Sequence, residues 1–236
     1  MPLEPNPSRA LYTATVERIT AHNADTRSLF LRLRAGCGFA FVPGQFLSLQ
    51  LPIANGAIRP YSIASDPETP ELLEICFNLV PGGVASRYLF DLAVGAQIHF
   101  TGPWGTFTLR DPPGAECVFL ADGTGIAPIR PMLHRALAGS VTTPIRLHYR
   151  AASLDALLFR PEFEIAQRRC ADFVFEPIVN DSAEALLDST RVRYVEDDAD
   201  RTRHFYVCGV GDVVTKLRDL LRTAGYARRA VEYEKW

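Results

Sequence analysis

The sequence predicts a small antiparallel β-barrel of six strands followed by a parallel α/β domain. In the first half, six short runs rich in β-branched and aromatic residues are separated mostly by Gly, Pro or Asn, which is typical of such a barrel. In the second half, apolar runs alternate with helical patterns. That alternation, with near-continuous apolar strands, is typical of a parallel sheet covered by helices on both faces.

The change between the two patterns falls at DPPGAE, residues 111–116. Two prolines and a glycine within this short run are typical of a linker. We therefore expect a β-barrel domain over residues 1–112 and an α/β domain over residues 113–236. A chain of 236 residues is long enough for two such domains.

The predicted barrel strands are runs in which apolar side chains recur, and several alternate apolar with polar residues as half-buried strands do. One run with a helical pattern, ASRYLFDL at 85–92, interrupts the series. The six predicted strands lie at residues 11–20, 28–35, 45–52, 59–65, 72–80 and 96–102.

The second half is predicted to contain strands that are apolar almost throughout, as buried parallel strands are. These strands lie at residues 117–121, 145–150, 173–179, 204–210 and 231–236. Helices with an amphipathic pattern are predicted at residues 129–139, 159–169 and 213–225.

The composition argues against several classes of function. A formal net charge of −2 gives no broad attraction for nucleic acid or for anionic membranes. No apolar run approaches the ~20 residues that a membrane helix needs. The first residues also lack the basic-then-apolar pattern of a secretory signal. We therefore expect a cytoplasmic protein that neither binds nucleic acid nor spans a membrane.

The cysteines and histidines do not form a metal-binding pattern. The five cysteines include no CxxC pair and are odd in number, which argues against a zinc site or a disulfide framework, and their spacing matches no iron–sulfur ferredoxin. The five histidines are scattered, so we expect no metal site. Redox chemistry in this chain would need an organic cofactor.

Two glycine-rich turns stand before helical patterns and are suited to phosphate groups. Gly123 and Gly125 follow the first strand of the second half, where the backbone can approach an anion and a helix N-terminus offers free N–H groups. Gly82 and Gly83 precede a short helix with Ser86 in its first turn. Each has an ordinary alternative, a tight βα turn in the first case and a glycine turn with an N-capping serine in the second.

Seven short motifs, taken in order, resemble the ferredoxin–NADP reductase superfamily. The likeness extends from about Leu11 to Trp236. It implies an FAD-binding barrel joined to a Rossmann-like NAD(P)-binding domain. The motifs are PGQF (43–46), RPYSIAS (59–65), PGGVAS (81–86), GPWG (102–105), DGTGIAPIRPML (122–133), YVCGVG (206–211) and the terminal EKW (234–236).

The resemblance implies how a flavin is held. Arg59 would pair with a flavin phosphate, because a guanidinium matches phosphate oxygens, and Tyr61 would lie against the isoalloxazine ring. Ser62 would lie near flavin N5. Gly83 and Ser86 would hold the pyrophosphate of FAD, and FMN, which has no AMP half, is the less favoured flavin. The full implied set is Arg59, Pro60, Tyr61, Ser62, Ile63, Gly82, Gly83, Val84, Ala85 and Ser86.

The resemblance also implies the nicotinamide side of the site. Gly123, Thr124 and Gly125 correspond to the loop that receives the dinucleotide pyrophosphate. Cys208 and Gly209 match the Cys-Gly pair that lies beside the nicotinamide ring. From the residues alone, a buried cysteine that ends a core strand is the commoner case.

The last three residues resemble the acidic–x–aromatic ending of the family. Trp236 would shield the flavin face and move when nicotinamide stacks there, and Glu234 would handle protons around the reduced flavin. The alternative is a frayed, exposed terminus. The implied catalytic residues are Ser62, Cys208, Glu234 and Trp236.

The choice between NADH and NADPH depends on the end of the third strand of the second half. Where NADP-using relatives carry a Ser-Arg pair, this chain offers Asn180 and Asp181. An aspartate would repel a 2′-phosphate and can accept hydrogen bonds from a ribose diol. Arg150, and also Arg160 or Arg191, could still neutralise a phosphate, so the pattern favours NADH without excluding NADPH.

The activity that the resemblance implies is hydride transfer from NADH or NADPH to FAD, followed by electron delivery to an acceptor such as a ferredoxin or an oxygenase component. That acceptor must be separate, because the chain contains no cluster, haem or ferredoxin-like segment. One alternative is an electron-transfer subunit or regulatory module that is inactive without a partner, and another is a flavin-binding module alone. Arginines on the early strands could dock an acidic ferredoxin or could simply be solvated: Arg18, Arg27, Arg32 and Arg34.

Overall fold

The structure is a computed structural model that describes residues 10–53, 56–110, 115–138 and 143–236. The chain divides into two units. The first runs to Thr108 and also takes in Arg130–Met132, and the second comprises Leu109–Ile129 and Leu133–Trp236. The predicted boundary between residues 112 and 113 lies outside the described residues, as does residue 139 at the end of a predicted helix.

Six strands of the first unit form one antiparallel sheet: β1 (Leu11–Ala21), β2 (Thr26–Leu33), β3 (Phe46–Leu51), β4 (Ala57–Ser62), β5 (Leu72–Asn78) and β6 (Gln97–Trp104). Their order is β4-β3-β6-β1-β2-β5. An isolated antiparallel bridge between Ile63 and Ile75 joins the chain just beyond β4 to β5, so the two edges of the sheet meet. A sheet closed on itself is a barrel, and the predicted six-stranded barrel is confirmed.

The alternation of side chains along the strands produces the core of the barrel. In β3, Leu47, Leu49 and Leu51 are buried, whereas the residues between them are at least partly exposed. β5 differs, because Leu73–Phe77 are buried on both faces of the strand. One of these residues is Glu74, a carboxylate within a run of apolar side chains.

Five strands of the second unit form a parallel sheet: β7 (Cys117–Asp122), β8 (Ile145–Ala151), β9 (Phe173–Val179), β10 (His204–Gly209) and β11 (Val231–Lys235). Their order is β11-β10-β7-β8-β9, with β7 at the centre and buried along its whole length. Each predicted strand agrees with an observed one to within one residue at each end. The predicted parallel α/β domain is therefore confirmed.

The described ranges contain five α-helices: α1 (Val84–Phe90), α2 (Ile126–Ala138), α3 (Arg160–Arg169), α4 (Glu184–Arg191) and α5 (Val213–Thr223). In α5, Val213, Leu217 and Leu221 are spaced four residues apart, so they form one buried stripe. This stripe packs in the same core cluster as Val207 of β10 and Val231 of β11. No helix in the described ranges has both the length and the apolar character that crossing a bilayer requires.

The helix α4 differs from the prediction, which placed no helix between the third and fourth strands of this sheet. The helix begins without a side-chain cap, and a π-helical segment, Val192–Glu196, follows it, so neither end carries a strong sequence signal. Leu186 and Leu187 are buried in the core of the second unit together with Tyr194. Tertiary packing, rather than local propensity, therefore stabilises this helix.

Candidate functional site

In the first unit, the end of β4 presents the charged and aromatic groups of the RPYS motif. Arg59 and Tyr61 are two residues apart, so they lie on the same face of the strand, opposite Leu49 and Leu47 of β3. The Arg59 guanidinium is exposed and donates to the Ile58 carbonyl at 2.8 Å through Nη1. The rest of its N–H fork is able to bind a phosphate.

The ring of Tyr61 is fixed by a chain of aromatic contacts. It meets Phe77 edge-on at a centroid distance of 5.7 Å, and Phe77 meets Phe90 of α1 at 5.7 Å. The guanidinium of Arg27 lies 4.4 Å from the Phe90 centroid and donates to the Phe90 carbonyl at 2.6 Å. Burial raises the pKa of Tyr61, opposed by the charge of Arg59, so this half-buried phenol stays neutral at physiological pH.

Directly after Tyr61, the chain turns two hydroxyl groups inward. Ser62 and Ser65 are each 8% exposed, and Ile63 between them is fully buried in its bridge to β5. The Ser65 Oγ is buried and has no hydrogen-bond partner among the described residues. A buried hydroxyl without a protein partner is suited to a polar group of a bound molecule. The donor set at this strand end thus fits a flavin.

The glycine loop before α1 is closed by an internal hydrogen-bond pair. The Ser86 Oγ accepts from the Val80 N–H at 3.0 Å and donates to the Gly83 carbonyl at 3.1 Å. A Cβ on Gly83 would stand 2.8 Å from that Oγ and 2.9 Å from the Val80 Cβ, so only glycine fits. The N–H groups of Val84 and Ala85 begin α1 and have no acceptor within the helix. Ser86 therefore shapes the loop, and the loop N–H groups are the anion donors.

In the second unit, the sheet order predicts where a dinucleotide lies. From β7 the chain adds β8 and β9 on one side of the sheet, and it then returns to add β10 and β11 on the other side of β7. The order in which strands are added therefore reverses between β7 and β10. Ligands of open α/β sheets bind at the carboxyl ends of the strands at such a reversal. The loop Gly123–Gly125 follows β7, and Gly209 ends β10. The predicted glycine loop and Cys-Gly pair therefore flank this point together.

These two loops touch backbone to backbone. A Cβ on Gly125 would stand 2.2 Å from the Cys208 carbonyl oxygen, and one on Gly209 would stand 2.7 Å from the Cβ of Asp122. Thr124, between the two loop glycines, is half-buried. Side chains at Gly125 and Gly209 are thus excluded from the contact between the two loops.

Cys208 and Glu234 lie side by side in this unit, as register partners of β10 and β11. Burial, with the charge of Glu234 as the next cause, raises the pKa of Cys208 well above that of an ordinary thiol. Burial also raises the pKa of Glu234 to about 7, and its Oε2 has no hydrogen-bond partner among the described residues. Cys208 is therefore a neutral thiol, whereas Glu234 titrates near neutral pH.

The terminal residue is hydrogen-bonded to the end of β10. The Trp236 N–H donates to the Gly209 carbonyl at 3.1 Å, and the Gly211 N–H donates to the Trp236 carbonyl at 3.4 Å. The Trp236 residue is half-buried. Its backbone is thus hydrogen-bonded beside the Cys-Gly pair, which favours the predicted position over a frayed terminus.

Arg150 connects the ends of three parallel strands. Its Nη1 donates to Asp122 Oδ1 of β7 at 2.9 Å, and its Nε donates to the Asn180 carbonyl beyond β9 at 2.8 Å. Its Nη2 donates to the Asp181 carbonyl. The side chains of Arg150 and Asp122 are only 12% and 9% exposed. Burial raises the pKa of Asp122, and the hydrogen bond from Arg150 opposes that shift.

The other arginines considered for a 2′-phosphate also have carboxylate partners. Arg160 pairs with Glu164 at 2.7 Å, and Arg191 pairs with Asp188 at 2.9 Å. Asp181, just beyond the end of β9, is exposed.

The arginines on the early strands are also largely engaged. Arg32 makes two hydrogen bonds to Glu17, at 2.6 and 3.0 Å. Arg18 lies 3.4 Å from the Phe30 ring centroid, and Arg27 is held at Phe90. Arg18, Arg32 and Arg34 are exposed to solvent, and the first two also have contacts within the unit.

Sequence reasoning missed two buried carboxylates, Glu74 and Asp122, each paired with an arginine. The available signal was a single acidic residue inside or at the end of an apolar strand. In the described part of the chain, no three His, Cys, Asp or Glu side chains are grouped to hold a metal ion.

Comparisons with known proteins match both units. The Oxidoreductase FAD-binding domain family matches residues 13–109, and the Oxidoreductase NAD-binding domain family matches residues 119–219. Ferredoxin–NADP reductase B of Sorangium cellulosum is 30% identical over 225 residues, which is 89% of this chain and 91% of that protein.

Two further relatives are longer than this chain. The reductase component of propane 2-monooxygenase from Rhodococcus jostii is 28% identical over 94% of this chain, and the match covers 62% of that protein. The crystal structure of an Amycolatopsis cytochrome P450 reductase superposes with a TM-score of 0.83 at 28% identity, covering 96% of this chain and 69% of that one. The chain belongs to the ferredoxin–NADP reductase family, whose members are FAD-dependent oxidoreductases that use a nicotinamide dinucleotide.

Proposed function

We propose that this protein oxidises NADH or NADPH, holds FAD in its barrel and delivers the electrons to a separate redox protein, either a ferredoxin or an oxygenase component. The names of its relatives support this acceptor class, since one is a ferredoxin–NADP reductase and another is the reductase component of a propane monooxygenase. The observation that carries the proposal is that each unit contains its own set of family motifs at the ends of its strands: RPYS at β4 and the glycine loop after β5 in the first unit, and the glycine loop after β7 and the Cys-Gly pair of β10 in the second.

The residues of the first unit fit FAD. Arg59 offers a guanidinium for one phosphate, and the first-turn N–H groups of Val84 and Ala85 offer donors for another. The ring of Tyr61 is held in place to lie against a flat heterocycle. Two separate anion sites favour FAD, which carries a pyrophosphate and an AMP half, over FMN.

FAD, when bound, would supply the redox chemistry, which is hydride acceptance from a reduced nicotinamide and release of single electrons to an acceptor. The protein contributes binding, orientation and proton handling. Ser62 presents a buried hydroxyl at the end of the flavin strand. Glu234, with a pKa of about 7, is able to hold or release a proton at physiological pH. Cys208, whose pKa is raised by burial well above that of an ordinary thiol, would lie beside the nicotinamide as a neutral thiol rather than as a nucleophile.

The preferred nicotinamide is NADH. Arg150 is buried against Asp122 and against two loop carbonyls, so its charge is already balanced. The exposed Asp181 adds a negative charge at the same strand end. A 2′-phosphate carries about two negative charges and needs a cation there, whereas a ribose diol is served by an acidic acceptor.

The test is an anaerobic titration of the FAD-loaded protein with NADH, followed by addition of a ferredoxin or an oxygenase component. We expect the flavin absorbance to bleach and then to recover as the acceptor is reduced. A protein that binds no flavin after FAD supplementation would overturn the proposal. Bleaching without reduction of any added acceptor would instead favour an electron-transfer subunit that needs its own partner.

Two further properties belong to the same proposal. We place the protein in the cytoplasm, and five cysteines without a disulfide support a reducing compartment. We also place the domain boundary at residues 112/113. The family matches, which end at residue 109 and resume at residue 119, support this position.

A further inference from the structure

A buried carboxylate stands beside the flavin strand end without a role in the site described above. Glu74 of β5 is 3% exposed. Its Oε1 accepts from the Ser28 hydroxyl at 2.6 Å, and its Oε2 accepts from Arg130 Nη1 at 2.6 Å. Ser28 in turn is 2.8 Å from His22 Nε2. Because the Ser28 proton goes to Glu74, His22 Nε2 is the donor in that contact.

Arg130 and Glu74 both bind the backbone of Ala64. The same Nη1 of Arg130 donates to the Ala64 carbonyl at 2.9 Å, and the Ala64 N–H donates to the Glu74 carbonyl at 2.7 Å. All of these residues belong to the first unit, which includes Arg130–Met132. The Ala64 N–H is therefore hydrogen-bonded to Glu74, and the Ala64 carbonyl is hydrogen-bonded to Arg130, the ion-pair partner of Glu74.

The position of Ala64 determines where the candidate flavin hydroxyls lie. It is two residues beyond Ser62, directly follows Ile63 in its bridge to β5, and directly precedes Ser65. Beyond the end of β4 this segment has no continuous ladder to hold it, since the bridge at Ile63 is isolated. The Ile63 N–H donates to the Gln45 carbonyl at 3.0 Å, and the hydrogen bonds at Ala64 hold the next residue of the segment.

Stability alone does not account for an ion pair at this place. A buried ion pair is often no more stabilising than a well-packed apolar pair, because both charges lose their hydration. The side chains of Arg130 and Glu74 are 17% and 4% exposed, so this desolvation applies to both. Unlike apolar residues, the ion pair orients a charged N–H donor toward one carbonyl oxygen, that of Ala64.

We propose that Glu74 and Arg130 are positioning residues of the flavin site, which hold the Ser62–Ser65 segment in place through Ala64. The inference rests on the proposed flavin role of the first unit. It assigns a function to Glu74, which lies outside the seven motifs, and to Arg130, which lies in the 122–133 motif but has no role implied by the resemblance. Neither residue needs to touch the flavin for this role.

The experiment compares Arg130→Met with Arg130→Lys. Methionine keeps much of the side-chain volume but removes the donor and the charge. Lysine keeps a charged nitrogen, and a single ammonium can donate to both acceptors, as the single Nη1 does here. The readouts are the Kd for FAD, the fine structure of the bound flavin spectrum and the Tm of the protein without flavin.

The matched control is Arg203→Met in the second unit. Arg203 is 13% exposed and pairs with Glu116, which is 15% exposed, at 2.5 Å. This variant also breaks a buried ion pair but lies in the other unit, so it measures the effect of lost stability alone.

We expect Arg130→Met to weaken FAD binding by about tenfold or more and to change the flavin spectrum, with Arg130→Lys restoring most of the affinity. Arg203→Met should lower the Tm without changing the Kd for FAD. Equal FAD affinity in wild type, Arg130→Met and Arg203→Met would overturn the positioning role. Absence of FAD binding in the wild type would instead refute the proposed function, so the two failures are distinguishable.

Discussion

Gly125 lies so close to Cys208 that a Cβ atom on Gly125 would stand 2.2 Å from the Cys208 carbonyl oxygen. The atoms it would meet belong to the backbone, so no side-chain rotation could relieve the overlap. The loop after β7 can therefore contact the end of β10 only because residue 125 has no side chain. Both loops flank the point where the strand order reverses.

We expect Gly125→Ala to impair nicotinamide use and to spare the flavin. The added methyl group would displace the Cys208–Gly209 end of β10, so kcat/KM for NADH should fall by about tenfold, equivalent to ~1.4 kcal/mol. Steady-state kinetics and the FAD content from the visible spectrum measure the two effects. Gly36→Ala is the control, because its φ of +73° makes alanine strained there while a Cβ meets no atom within 4 Å, so it measures backbone strain in the first unit without displacing β10. An unchanged kcat/KM in Gly125→Ala would mean that this loop contact has no part in nicotinamide binding.

We expect Ser86→Ala to weaken FAD binding through the shape of the glycine loop. The substitution removes the acceptor of the Val80 N–H and one donor to the Gly83 carbonyl, which still accepts from the Arg87 N–H at 3.1 Å. Leaving the Val80 N–H unpaired costs about 1–3 kcal/mol, so the Kd for FAD should rise by roughly tenfold. Fluorescence titration with FAD measures the Kd. Ser153→Ala, at a serine whose side chain makes no capping hydrogen bond, should leave the Kd unchanged.

We expect Glu234 to make the protein less stable as the pH rises toward neutrality. Its folded-state pKa of about 7 lies above the ordinary value of 4.5, so the folded protein retains a proton that the unfolded chain releases between these values. The stabilisation is complete below about pH 4.5 and is lost as the pH rises through about 7. Glu234→Gln cannot ionise, so its Tm relative to wild type should increase from pH 5 to pH 8.

Thermal melts over this pH range test the sign of the effect. The control is Glu232→Gln, which changes the same residue type on the same strand, where Glu232 is paired with Arg110 at 3.0 Å. A constant Tm difference between Glu234→Gln and wild type would show that the Glu234 carboxyl ionises normally in the folded protein.

The architecture could be predicted from the sequence because local patterns encode it. Apolar alternation marks the barrel strands, and continuous apolar runs mark β7 to β11, so both sheets were expected before the structure was known. The helix α4 was missed because its burial comes from contacts with distant residues such as Tyr194 rather than from capping or propensity.

The candidate site could be predicted only where its residues form a contiguous motif. The RPYS and glycine motifs are short runs that each lie at one strand end, so sequence order alone brought their residues together. Glu74 and Arg130 are separated by 56 positions, and nothing in the sequence says that they meet. Arg150 illustrates the same limit, because its pairing with Asp122 depends on the register of two parallel strands.

We expect wild-type protein to use NADH with a kcat/KM at least about tenfold higher than for NADPH, and Asp181→Asn to narrow this difference. The engaged Arg150 offers no spare charge for a 2′-phosphate, and loss of the exposed carboxylate removes one source of repulsion. Steady-state kinetics with both nicotinamides provide the measurement. Asp219→Asn, which removes an equal charge from α5, is the matched control and should leave the ratio unaltered. A wild-type preference for NADPH would show that a cation outside the pairs described above reaches the 2′-phosphate, and the NADH assignment would then be wrong.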